Sequence, residues 1–226
     1  MNPTLSVFLS GLTVLLLSYL CGSVPWGYLI GRFNGIDIRE YGSHNIGATN
    51  VRRVLGRDWS IICFLLDFFK GLLPVLIIGQ RWAGGWAIGT QWGMLLAAAG
   101  AVLGHVFTCW LRFRGGKGVA TSLGVALGLA WLPVLIGGLA WLLFFQRTRV
   151  VAIASMAAVV TMAIAALVLW LGGWGCTWHV AVLMVALALI VVLRHADNIK
   201  RLREGTENVF SKICGKKEES AEKEEK

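Results

Sequence analysis

VVAIASMAAVVTMAIAALVLWLGGWGCTWHVAVLMVALALIVVL, Val150 to Leu193, contains 44 residues and no Asp, Glu, Lys or Arg. About 20 predominantly apolar residues cross a bilayer core as a helix, so this stretch is long enough to cross twice. The glycine-rich GGWG at Gly172–Gly175 supplies the turn between the two crossings. Three further stretches are free of charge over at least a spanning length: Met1 to Gly31, Trp82 to Leu111 and Gly118 to Gln146. The chain is 57% hydrophobic and 15% charged over 226 residues. An average soluble domain has about 45–50% apolar and about 25% charged residues, so the excess belongs in lipid. The fold class expected is all-α, a polytopic membrane protein.

The basic residues fix the threading. They cluster at Arg32 to Arg57, at Arg112, Arg114 and Lys117, at Arg147 and Arg149, and from Arg194 to Lys217. Nearly uncharged turns lie between, around Arg81 to Gly85, at Leu132-Pro133 and at Gly172 to Gly175. Because short basic loops stay cytoplasmic, the alternation predicts about seven spans, with the N-terminus outside and the C-terminus inside. They are Leu5 to Ile30, Ile61 to Ile78, Trp86 to Leu111, Val119 to Trp131, Pro133 to Phe145, Val150 to Leu171 and Trp178 to Leu193. The fourth and fifth are short for a hydrocarbon core of about 30 Å, which makes them tilted neighbours or a re-entrant pair. The first stretch lacks the basic start and small-residue cleavage pattern of a signal peptide and is expected to remain as a span. Residues 1–213 form one transmembrane domain, and the Lys/Glu-rich tail at 214–226 is expected to be solvated and disordered.

Several functions are set aside by what is missing. The formal charge of +9 lies beside apolar spans, which points to a membrane surface and not to nucleic acid. The five cysteines form no CxxC pair, and no His partners them at metal-ligand spacing, so neither a metal site, another cofactor nor a disulfide framework is expected. No paired-carboxylate cluster exists for divalent-metal headgroup transfer, and no His is followed five residues on by Asp, as in HxxxxD acyltransferases.

Three polar segments fall on the predicted cytoplasmic side. GSHNIGATN, Gly42 to Asn50, is followed by Arg52, Arg53 and Arg57; Ser43, Asn45, Thr49 and Asn50 offer donors beside those charges, as a phosphate cradle would. The same composition also makes an ordinary turn whose arginines touch lipid headgroups. RFRGGKGVATS, Arg112 to Ser122, sets Gly115, Gly116 and Gly118 around Lys117 at a predicted helix start, which is an anion site or a flexible positive-inside anchor. It lacks the spacing of a Walker A loop. RHADNIKRLREGTE, Arg194 to Glu207, brings His195 and Asn198 to one helix side, and His195 is a base, an acid, a phosphate ligand or a structural residue. Ser155 can donate into the same cavity. Asp67 and Lys70 sit three apart inside a span, where an ion pair is expected. His105 and His179 read as packing or interface residues.

Together with GSVPWGYLIG (Gly22 to Gly31), LDFFKG (Leu66 to Gly71) and GHVFTCWLRFRGGKGVATS (Gly104 to Ser122), these segments resemble the bacterial acyl-phosphate:glycerol-3-phosphate acyltransferase family over nearly the whole chain to Glu207. The resemblance implies a seven-span inner-membrane enzyme with its site on the cytoplasmic face. Such an enzyme transfers a fatty acyl group from acyl phosphate to the 1-hydroxyl of glycerol 3-phosphate, yielding lysophosphatidic acid and phosphate. It implies His195, Asn198, Lys117 and Ser43 as the catalytic set. Thr49, Asn50, Arg53, Gly115, Gly116 and Ser155 are implied as substrate contacts, with Asn45 and Arg57 beside them. Membrane lipid and a transient contact with the enzyme that makes acyl phosphate are the partners expected. Departures from the family pattern are His44 in place of Gly, Thr108 in place of Pro and Arg114 in place of Lys. The rival class is a small transporter of phosphorylated solutes or lipids, which would show inverted repeats and polar groups at mid-membrane. No convincing repeat is visible, and the polar groups crowd one face.

Overall fold

The computed structural model describes residues 2–210, and among them every regular element is helical. Ten α-helices follow in order: α1 (Pro3–Ser23), α2 (Trp26–Phe33), α3 (Ala48–Leu55), α4 (Arg57–Leu73), α5 (Thr90–Val106), α6 (Val119–Leu129), α7 (Trp131–Thr148), α8 (Val151–Leu171), α9 (Trp178–Arg194) and α10 (Ala196–Arg203). The all-helical membrane fold read from the sequence is therefore present. The separation of a tail at 214–226, and Cys214 with it, lies outside the described residues.

Five helical stretches are long and apolar enough to cross a bilayer: Pro3–Phe33, Arg57–Gly85, Thr90–Leu111, Trp131–Thr148 and Val151–Leu171. Trp178–Leu193 becomes a sixth when it is taken together with Ala196–Arg203, from which it is bent by 53°. The seventh apolar helix, α6, has 11 residues. At 1.5 Å per residue it reaches about 17 Å, short of a core of about 30 Å. The expected pair of equally short spans is thus one short helix and one of full length. The break falls at Ala130, in extended backbone, two residues before the expected turn. Pro133 sits in the first turn of α7, where its missing N–H has no intrahelical acceptor to lose. Pro74 instead meets the middle of a span. The chain continues past it as a π-helical stretch, Pro74–Trp82, whose wider turns accommodate the lost hydrogen bond.

Side chains are sorted in reverse of a soluble protein. Leu16, Leu143, Ile164 and Leu189 are exposed at 50%, 62%, 55% and 59%, whereas Ala97, Ala98 and Ala101 are fully buried. Lipid solvates leucine as well as a protein core does, so what holds these helices together is close backbone approach at small residues. A Cβ on Gly22 or Gly104 would strike the backbone of the facing helix in the α1/α5 pair, and one on Gly71 or Gly124 would do so in α4/α6.

The two ends of the bundle differ. At one end Gln91 Nε2 lies 2.9 Å from His179 Nδ1, and His179 packs between tryptophans, stacked on Trp178 and edge-on to Trp92. At the other end all four basic segments meet. Arg194 donates through Nε and Nη2 to the carbonyls of Gly116 and Gly115 at 3.3 and 3.2 Å. The Phe210 N–H donates to Arg149 O at 2.8 Å, and the Arg52 guanidinium lies 4.3 Å over the Phe210 ring.

Candidate active site

A cavity of about 620 Å³ opens within that basic end. Its polar mouth is lined by Ser43, Asn45, Thr49, Arg52, Arg53, Lys117, His195, Asn198 and Glu207, and its apolar arm runs down between α4, α6, α7 and α8. Two helices begin on this mouth. Gly47 precedes α3 and Gly118, in left-handed backbone (φ 87°), precedes α6. First-turn amides have no intrahelical acceptor, and Ala48, Thr49, Val119 and Ala120 all line the cavity. Two positive helix ends thus converge on one space.

The side chains at the mouth form one network. Lys117 Nζ donates to Asn198 Oδ1, while Asn198 Nδ2 donates to Glu207 Oε1 at 3.1 Å. Glu207 also accepts from Arg201 Nε at 2.8 Å and lies 3.9 Å from Arg53, with its own side chain only 3% exposed. Arg53 Nε is buried without a hydrogen-bond partner among the described residues. His195 caps α9, and its Nδ1 lies 2.7 Å from Val191 O. A carbonyl can only accept, so Nδ1 carries the proton and Nε2 keeps a free lone pair. Burial, then the Lys117 charge, pushes the His195 imidazole down to about 4. Burial, then Arg201, lowers the Lys117 ammonium to about 8, which leaves it mostly charged at neutral pH.

Of the expected contacts, Ser43, Asn45, Thr49, Asn50, Arg53, Lys117, Ser155, His195 and Asn198 line this one cavity. Three others differ in place. Arg57 opens α4 on the exposed surface, outside the cavity. Gly115 and Gly116 are buried beside it, their N–H groups donating to Val106 O and His105 O at 3.0 and 3.1 Å. Those amides are therefore unavailable to an anion. Asn50 is fully engaged with its own loop: Oδ1 accepts from Ser43 N at 2.7 Å, and Nδ2 donates to Ile38 O and Tyr41 O, both at 3.1 Å. It holds Ser43 in place instead of presenting a free donor. Asn45 Oδ1 likewise caps Gly47 N at 2.9 Å. His44 takes φ 57°, the left-handed region a glycine would adopt, so the loop path accommodates the substitution.

The structure adds residues that no motif singles out. Glu207 completes the mouth, and Arg201, outside the cavity lining, anchors it. His105, expected to be a packing residue, reaches the cavity wall, 3.6 Å from Asp67, which pairs with Lys70 at 2.7 Å. The expected Asp67–Lys70 pair is therefore present, and Lys70 Nζ also donates to Val24 O at 2.7 Å. The His105 ring underlies Gly116, where a Cβ would collide with its Nε2. Ser155 lies on the arm, with Trp141 Nε1 at 3.4 Å.

A family model described as Glycerol-3-phosphate acyltransferase matches residues 12–205. The chain belongs to the glycerol-3-phosphate acyltransferase family. The glycerol-3-phosphate acyltransferase of Geotalea daltonii is 43% identical over 205 residues, covering 90% of this chain and 99% of that one. That of Geobacter sulfurreducens is 43% identical over 203 residues, covering 89% and 98%. The family fold matches as well. The crystal structure of PlsY, an integral membrane glycerol 3-phosphate acyltransferase, in its glycerol 3-phosphate form superposes with a TM-score of 0.79 at 35% identity, covering 89% of this chain and 96% of that one. Its lysophosphatidic acid form gives 0.77 at 33%.

Proposed function

We propose that this protein transfers a fatty acyl group from acyl phosphate to the 1-hydroxyl of glycerol 3-phosphate, releasing lysophosphatidic acid and phosphate. The observation that carries this reading is one cavity with two chemistries. Its mouth joins Arg53, Lys117 and two helix N-termini, and its arm is walled by apolar side chains. A phosphate at the mouth and an acyl chain in the arm put the acyl carbonyl near the junction, within reach of a second phosphorylated substrate. The relatives' glycerol-3-phosphate acyltransferase names and the two PlsY forms supply the acceptor and the product. Acyl phosphate as donor follows from the need for an activated acyl group whose leaving group is itself an anion suited to this mouth.

An acyl phosphate is a mixed anhydride, so positioning and charge stabilisation can supply the rate without a covalent enzyme intermediate. The glycerol hydroxyl forms the new C–O bond, the bond from the acyl carbon to the phosphate oxygen breaks, and phosphate leaves. Lys117, held by Asn198, and Arg53 bind the phosphates. Ser43 and the first-turn amides of α3 and α6 donate to the developing negative charge. His195 Nε2 accepts the hydroxyl hydrogen bond and orients it. The proton goes to a phosphate oxygen, because a phosphate monoester ionises near 6 and is a stronger base than an imidazole at about 4. By the charge rule the mouth faces the cytoplasm of a bacterial cell, in the inner membrane, with the N-terminus outside and α6 counted as a shortened seventh membrane element. A transient contact with the enzyme that makes acyl phosphate would deliver an unstable donor to this mouth.

The test is phosphate release and lysophosphatidic acid formation by the purified protein from palmitoyl phosphate, with and without glycerol 3-phosphate. Release that depends on glycerol 3-phosphate and is matched by product supports the reading. Release without that dependence, from folded protein, overturns it.

A further inference from the structure

The apolar arm contains two adjacent glycines that do different work. Gly137 faces α8: a Cβ there would come 2.8 Å from Ala158 O and 3.0 Å from Met162 Cβ, so its smallness lets α7 and α8 close. Gly138 lines the cavity, and a Cβ there would meet nothing within 4 Å. It sits in the cavity-facing stripe of α7, Val134, Gly138, Trp141, Leu142 and Phe145, at the i, i+4, i+7, i+8 spacing of one helix face. Gly137 also borders the cavity, but the space a Cβ would take there is already filled by Ala158 and Met162; the other α7 residues on the cavity carry bulky side chains. Gly138 lies seven residues from Phe145, about 10 Å along the axis from the mouth, and Val134 lies about 6 Å deeper. The missing side chain is therefore a gap in the wall at mid-depth, where the tail of a long chain passes and a short chain does not reach.

Resting on the acyltransferase reading, we infer that Gly138 sets the acyl-chain length the site accepts, by leaving the deep end of the arm open. A Cβ at the position costs the protein little, since no atom must move to receive it and glycine is a poor helix former. A side chain at 138 acts on substrates by length: it displaces the distal methylenes of a long chain and leaves a short one untouched.

The experiment measures kcat/KM for octanoyl, dodecanoyl and hexadecanoyl phosphate at saturating glycerol 3-phosphate, for the unsubstituted protein and for Gly138→Ala, Gly138→Leu and Gly138→Phe. Leu139→Phe, which adds volume on the 54% exposed outer face of the same helix, is the control. The ratio of hexadecanoyl to octanoyl kcat/KM should fall in order of side-chain size, by about tenfold or more in Gly138→Phe, the scale on which a few displaced methylenes are discriminated. It should not change in Leu139→Phe. A ratio unchanged across the series, or parallel loss on all three donors, overturns the assignment. Gly138→Ala is the member that keeps it testable if the larger variants do not fold. Failure of the unsubstituted protein to acylate glycerol 3-phosphate from any donor is a separate result and removes the underlying reading.

Discussion

The mouth and the arm of this cavity are built by opposite means. The mouth is assembled from four loops and two helix ends, and single hydrogen bonds set its side chains: Asn198 cannot turn without releasing Lys117 or Glu207. The arm is made by stripes on four helices, and its walls are defined by the volume of Phe64, Leu123, Val134 and Met162 more than by any single bond. Polar recognition in a buried site depends on individual groups, because one left unpaired costs its full desolvation. Apolar recognition depends on summed area and shape. Substitutions at the mouth should therefore be large and indifferent to chain length, and substitutions in the arm smaller and dependent on it.

The largest effect belongs to Lys117. Lys117→Ala removes the charge that Asn198 holds and that shares the mouth with both positive helix ends, and kcat/KM should drop by about 10³ with every acyl donor, the scale of losing a key charge-stabilising group. A loss confined to long chains would break the distinction between the two regions. Arg53→Ala should follow at about 10²-fold, mostly as a raised KM for glycerol 3-phosphate, because Arg53 Nε is a buried donor without a partner among the described residues. The two variants measured with the same donors separate charge at the mouth from general damage.

The pH profile tests the mouth without substitution. Lys117 must be charged to hold a phosphate, so kcat/KM is high below about 8 and falls as pH rises through that value. On the acid side the accepting group must be free of its proton. A limb near 6 belongs to a substrate phosphate, and a limb near 4 would give the proton to His195. Arg53, Arg201 and Glu207 surround these groups. Lys117→Arg should move the basic limb upward and out of range while keeping part of the rate.

Much of this was legible in the sequence because membrane folding is written in long runs. Uncharged stretches and their basic flanks located the helices to within a few residues, and the motifs located the loops that reach the mouth. The allocation of length between α6 and α7 was not legible, because a proline-bearing apolar run from 119 to 146 has no charge to mark its break, and backbone geometry at Ala130 set it. Glu207 is one of several scattered acidic residues in the sequence, and a carboxylate among phosphate-binding cations opposes simple charge complementarity. Only the fold shows that it orients Asn198 and anchors Arg201. Gly115 and Gly116 were expected to present amides to an anion, as glycine-rich loops do. Their N–H groups turn inward to His105 and Val106 instead, which a sequence pattern cannot distinguish.

That correction carries the next prediction. If Gly116 serves to admit the His105 ring, Gly116→Ala acts by displacing the loop and so misplacing Lys117, not by removing an anion donor. Alanine keeps the backbone N–H, so a direct amide contact would survive the change and activity would fall little. Displacement predicts about a tenfold to hundredfold loss, since a shift of about 1 Å in a positioning element has that scale. The double variant His105→Ala, Gly116→Ala should recover part of it by removing the obstructing ring.

Arg57 gives the smallest effect. It belongs to the same arginine cluster as Arg53, and by charge alone the two are interchangeable. The fold separates them by one turn of chain: Arg53 is on α3 facing Glu207, and Arg57 begins α4 with its side chain in solvent. An exposed arginine away from the site contributes through screened, long-range attraction only, which falls off over about 10 Å at 0.1 M salt. Arg57→Ala should leave kcat/KM within about twofold at physiological salt and shift stability by no more than about 0.5 kcal/mol. Its residual effect should appear at low ionic strength and disappear as salt is added. The effect of Arg53→Ala should persist, because a buried contact is screened far less. An Arg57→Ala loss that approaches the Arg53→Ala loss and is insensitive to salt would place Arg57 in the mouth and redraw its boundary around the start of α4.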